Sequence, residues 1–142
     1  MSQQTASVAQ SPVERQRAFV QTVQADGRLD RLDEWVHPAI VDHARPDGAP
    51  EGIEGVRAVL GMLRAAFPDH DARVLHMVGE GDVVATHKEL TGTHLGDFLG
   101  VPATGRRATI RVMDVVRYDG GLIVEHWNVI NVAGLMAQLG AA

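Results

Sequence analysis

A chain of 142 residues, 45% hydrophobic and 22% charged, has the composition of a single globular domain with a core of its own. Its net charge of −5, with no basic cluster, excludes a nucleic-acid surface. Cysteine is absent, which excludes disulfides, thiolate metal sites and cysteine nucleophiles and makes the cytoplasm the default compartment.

Residues 1–10, M-S-Q-Q-T-A-S-V-A-Q, lack the charged and apolar regions of a secretory signal and are expected to form a disordered tail ahead of one domain over 11–142. No apolar run has membrane-spanning length, so no membrane partner is expected. Ser11-Pro12 followed by Glu14 predicts a helix start: a hydroxyl cap, proline in the first turn, and a glutamate three residues after the cap. Val13, Ala18, Phe19, Val20 and Val23 follow at roughly helical spacing until Asp26-Gly27. Asp30 is expected to cap a short second helix through Leu32 and Trp35, ended by His37-Pro38.

A short extended piece over 39–43 leads into a Pro-, Gly- and Asp-rich loop. The stripe Ile53, Val56, Val59, Leu60 and Leu63 predicts a third helix over 53–66, closed by Phe67-Pro68-Asp69. Strands follow. Ala72, Val74, His76 and Val78 alternate in the first, and 83–93 forms the second. A small-residue loop over 92–105 precedes two long strands around Asp119-Gly120-Gly121, and a helix over 133–139 ends the chain. Helices gathered ahead of antiparallel strands predict an α+β fold: N-terminal helices packed on a strongly curved antiparallel sheet, forming a cone-shaped barrel with an internal pocket.

The last hairpin carries polar residues, among them Asp114, His126 and Asn128, within an apolar pattern. Such groups cost free energy unless they are paired or used. A three-residue loop would pair Asp114 with His126 and Val112 with Asn128, on one face with Ile110, Val116 and Ile130. A two-residue loop would set Asp114 against Glu125, on the Trp127 face. The first register is preferred because it collects the polar groups on one apolar face. A carboxylate desolvated there is poised for proton transfer. This assigns Asp114 as general base, His126 as its orienter and Asn128 as a donor that polarises a carbonyl. Asp42 and His43 reach the pocket mouth, and Phe19, Trp35, Leu63, Ile110, Val112 and Ile130 supply its apolar walls. His94 stabilises its loop or a subunit contact. The seven histidines show no metal-ligand spacing, so no metal is expected, and no glycine loop suits phosphate.

The stretches F-P-D (67–69), G-T-H-L-G-D-F-L-G-V-P-A-T-G-R-R (92–107), R-Y-D-G-G-L-I-V-E-H-W (117–127) and Q-L-G (138–140), with W-V-H-P (35–38), resemble the SnoaL-like polyketide cyclases, also called ester-cyclase-type proteins. The resemblance spans nearly all of the chain after the tail. It implies a nuclear-transport-factor-2-like cone, a homodimer with one deep pocket per subunit, and ring closure of a polyketide by intramolecular aldol chemistry without metal or organic cofactor. In that family an aspartate after the E-H-W-type motif acts as base or acid, and a histidine on the preceding strand assists. Here Asn128 and Asn131 stand at the aspartate positions and Asp114 at the histidine's. An amide has no titratable group for this step. The leading expectation is therefore a cofactor-independent cyclase or isomerase that moves a proton next to a carbonyl of a largely apolar, polyketide-like substrate. A non-catalytic ligand-binding or dimerisation module and a water-activating hydrolase remain as alternatives.

Overall fold

A computed structural model describes residues 10–141. The tail expected over 1–10 lies outside these apart from Gln10. Local signals set the first helix as expected. The Ser11 hydroxyl accepts from the Glu14 amide at 3.1 Å, and the Ser11 amide donates to the Glu14 carboxylate at 3.4 Å, starting α1 (Pro12–Phe19). The helix then widens into a π-helical segment (Val20–Ala25). A 3-10 turn (Leu29–Glu34) stands where the short second helix was expected. It ends before His37-Pro38, because Val36, His37 and Pro38 already belong to β1 (Val36–Asp42). Proline is tolerated there because β1 is an edge strand.

Helix α2 runs over Ile53–Ala66, as the apolar stripe predicts. Of that stripe only Ile53 is buried; Val56, Val59, Leu60 and Leu63 stay partly exposed because they line a hollow rather than a packed core. Strands β2 (Asp71–Glu80), β3 (Val83–Thr93), β4 (Arg107–Asp119) and β5 (Leu122–Ile130) follow, then α3 (Val132–Gln138).

The sheet has the order β1-β5-β4-β3-β2. It is mixed, not wholly antiparallel, because β1 lies parallel to β5 with Asp42 beside His126. It is also an open sheet, not a closed barrel. A register shift between Val74 and His76 breaks the alternation expected in β2. Ala72, Val74 and Met77 pack on the core, while His76 and Val78 are exposed. One apolar cluster joins Phe19, Val20 and Val23 to Val84, Val116 and Tyr118; a second joins Phe67 and Leu135 to Leu90 and Ile110.

The β4–β5 hairpin departs from its expected register. Gly120 and Gly121 both take positive φ, 57° and 82°, which makes a two-residue turn with Asp119 opposite Leu122. A bulge then inserts Val124, so that Arg117 faces Glu125 and Asp114 faces Asn128. The bulge restores the face that the shorter turn alone would have reversed. Asp114, Asn128 and His126 therefore share the inner face as expected, but His126 is opposite Val116 rather than Asp114.

Candidate active site

Strict alternation on β3 turns Val84, Thr86, Lys88 and Leu90 inward. Lys88 is only 2% exposed and Asp114 on β4 only 5%. Their charges meet, with Lys88 Nζ 2.6 Å from Asp114 Oδ2. Nζ also donates to Gln24 Oε1 at 2.9 Å, from the π-helical segment. Moving two charges out of water costs several kcal/mol per ion, which only close pairing and added hydrogen bonds offset. An ammonium has three protons, and Asp114 and Gln24 account for two of them.

The pair sits in the wall of a cavity of about 200 Å³ between α1, α2 and the inner sheet face. Phe19, Val56, Leu60, Leu63, Val112 and Ile130 make it largely apolar. Two buried polar atoms of its lining residues have no partner among the described residues: Asp114 Oδ1 and Gln16 Nε2. Such orphans are rare in native folds and mark atoms waiting for water or a ligand. The Gln16 carbonyl oxygen is held by the Tyr118 hydroxyl at 2.7 Å. Burial pushes that hydroxyl far above the ordinary tyrosine range, so it stays a donor.

A second polar pair lines the same cavity. His126 Nδ1 lies 2.8 Å from Asp42 Oδ1, an oxygen that also accepts the Ala44 amide at 2.9 Å. Burial alone would push the Asp42 carboxyl up, but the hydrogen bond from His126, that ring's charge and the Ala44 amide outweigh it. The carboxyl is held below its ordinary value. An ionised Asp42 keeps a proton on His126 Nδ1 and leaves Nε2 as the ring's reactive atom.

The structure thus brings Asp114, Asn128, Asp42, His126, Phe19, Leu63, Val112 and Ile130 around one cavity. It parts others from it. His126 does not orient Asp114, because the bulge moves it one pair along the hairpin and the parallel β1 supplies Asp42 instead. His43 turns to the outer side, where it meets Glu125 at 2.9 Å and stacks on Trp127 at 4.8 Å. Trp35 is buried beside Phe19 with the Arg15 and Arg31 guanidiniums over its ring, and Ile110 packs in the second cluster. His94 is a loop residue as expected, its Nδ1 2.9 Å from the Thr104 hydroxyl. Lys88, Gln24 and Gln16 were not anticipated. Lys88 was findable, since counting by twos from Val84 to Leu90 places it on the apolar face.

Asp114 has Thr86 and Asn128 as its cross-strand neighbours and Lys88 as its ion-pair partner.

The model for the SnoaL-like polyketide cyclases matches residues 14–139. The nogalonic acid methyl ester cyclase of Streptomyces nogalater is 30% identical over 117 residues, covering 80% of this chain and 87% of that one. The aklanonic acid methyl ester cyclase DnrD of Streptomyces peucetius is 28% identical over 117 residues, covering 80% and 81%. Among solved structures, TsrD from Streptomyces laurentii superposes with a TM-score of 0.84 at 28% identity, over 92% of this chain and 96% of that one. Wild-type IdmH from Streptomyces antibioticus gives 0.80 at 34% identity, over 92% and 99%. A family match across almost the whole described chain, a shared α+β cone and a polar-floored cavity agree: the chain belongs to the SnoaL-like polyketide cyclases, a family of cyclising enzymes.

Proposed function

We propose that this chain closes a ring in a polyketide-like carbonyl compound by moving a proton next to a carbonyl, with its own side chains and no cofactor. The observation that carries the reading is the buried Lys88–Asp114 pair in an apolar cavity, with Asp114 Oδ1 left unpaired. Asp114 Oδ1 takes the proton from a carbon flanked by carbonyls. The third N–H of Lys88 and the free Gln16 amide face the enolate oxygen that results, where a fixed donor in a water-poor site is worth most. Asn128, opposite Asp114, supplies a further amide.

The two curated relatives name suitable assay compounds, nogalonic acid methyl ester and aklanonic acid methyl ester. The native chain is expected to cyclise at least one, and Asp114→Asn to abolish turnover while the circular dichroism spectrum stays native. Native-like turnover in that variant removes Asp114 from the mechanism. The amide at position 128, where the resemblance calls for an acid, favours a second reading as a binding module; that module would hold the esters without changing them.

The working unit is proposed to be a cytoplasmic homodimer joined through the outer face of the sheet. Val78, Met113 and Val129 are 67%, 57% and 72% exposed there, beside Trp127. The Glu89–Arg111 and Arg117–Glu125 pairs on β3, β4 and β5 offer both signs of charge to a second copy turned by a two-fold axis. Light scattering of the native chain and of Met113→Glu is expected to show dimer and monomer respectively; a monomeric native chain rules the dimer out.

A further inference from the structure

We infer that His126 is the general acid of ring closure, protonating the acceptor carbonyl oxygen through Nε2, with Asp42 as its positioning residue. The inference rests on the proposed cyclase reading and adds the second proton transfer that this reading needs.

An aldol closure moves protons at two places. Asp114 removes one from the donor carbon, whose electron pair remains as an enolate. The enolate carbon then attacks the acceptor carbonyl carbon, a C–C bond forms, and the C=O π pair moves onto oxygen. That oxygen needs a proton, and the residue that abstracted the first lies at the donor carbon. The cavity holds one other acid–base group with its reactive atom free. His126 Nδ1 is tied to Asp42 at 2.8 Å, and Nε2 has no hydrogen-bond partner among the described residues. As an imidazolium, His126 gives its Nε2 proton to the alkoxide and becomes neutral. The proton held by Asp114 returns to His126 through solvent, so the product is an isomer of the substrate and the protein is unchanged.

The geometry separates the two roles. Asp114 and its partners Lys88 and Gln24 form one polar group, whereas the Asp42–His126 pair lies on β1 and β5. The cross-strand neighbour of His126 on β4 is Val116, an apolar residue. The ionised Asp42 stabilises the imidazolium and keeps the ring turned. The other charged groups near the ring are His43 and Glu125, which pair with each other on the outer side, and Lys88 and Asp114 across the cavity. Helix α2 contributes only apolar side chains to the lining, and α1 contributes Gln16 and Phe19.

The test follows two signals in the ester assay in heavy water: deuterium entry at the donor carbon above the rate without protein, and ring closure. His126→Gln, whose amide donates a hydrogen bond but transfers no proton, is expected to keep deuterium entry and lose ring closure by roughly 100-fold or more. Asp42→Asn is expected to lower kcat for closure with KM little changed, and Asp114→Asn to lose both signals. Closure at the native rate in His126→Gln overturns the inference alone, and so does loss of deuterium entry together with closure. Deuterium entry that survives in Asp114→Asn overturns the cyclase reading at its base, and a native chain that leaves both esters unclosed overturns reading and inference together.

Discussion

The Lys88 ammonium sits 2.6 Å from the Asp114 carboxylate, with side chains only 2% and 4% exposed. Removing one charge leaves the other buried and unpaired. Lys88→Ala and Asp114→Ala are each expected to cost about 3–5 kcal/mol, whereas the double variant Lys88→Met/Asp114→Leu should recover most of that loss. Urea denaturation of the three variants checks the pattern; additive losses would contradict it. The double variant should fold well and turn over nothing, which separates the pair's catalytic value from its structural cost.

The Tyr118 hydroxyl fixes Gln16 from below the cavity. Tyr118→Phe leaves the Gln16 carbonyl oxygen without its donor, at an expected cost of about 1–2 kcal/mol. It also frees the amide whose nitrogen is proposed to meet substrate. A lowered kcat with a smaller change in KM is the expected kinetic signature, and an unchanged kcat would place Gln16 outside the groups that stabilise the enolate.

Asn128→Asp sets a carboxylate opposite Asp114 across the β4–β5 pair. Two like charges at that spacing favour protonation of one, which raises the new group's folded pKa above its unfolded value of about 3.9. The folded chain therefore binds the proton more tightly than the unfolded chain. The variant should be less stable than the native chain near neutral pH, by about 1 kcal/mol, with the gap closing as pH falls toward 4. Thermal melting at several pH values reads the difference directly, and a gap that widens on acidification would contradict the placement.

What was legible in the sequence follows from how local each signal is. The Ser11–Glu14 capping box, the bounds of α2 and the whole of β3 rest on neighbours a few residues apart, and they appear as expected. The inner face of the last hairpin was also readable from its polar exceptions. Its register was not, because the turn sets Asp119 against Leu122 and the Val124 bulge then corrects the face, and nothing local to Val124 marks the bulge. The Asp42–His126 pair depends on a parallel contact between strands 84 residues apart, which no spacing rule reaches. Lys88 differs in kind: its position on an apolar face was visible by alternation, whereas its partners Asp114 and Gln24 required the fold.

His70 gives a pH dependence distinct from that of the active site. It is buried beside the end of α2, its Nδ1 3.1 Å from the Phe67 carbonyl oxygen. Burial first, and then the Arg64 charge, push it below the ordinary histidine value of 6.5. The unfolded chain therefore takes up a proton near pH 6.5 that the folded chain refuses. The stability this contributes is complete above 6.5 and is lost as pH falls from there through the lower folded value. Asp42 acts in a separate window, since its depressed carboxyl contributes stability above about 3.8 and loses it only below. The same region adjoins the active site through Arg64. Arg64 donates to the carbonyls of His70 and Gln24, and the Gln24 side chain holds Lys88. His70→Gln should therefore flatten the decline in melting temperature that begins below pH 6.5 while leaving the decline below pH 4 in place. If the variant keeps the native slope between pH 6.5 and 5, His70 is not the group that titrates there.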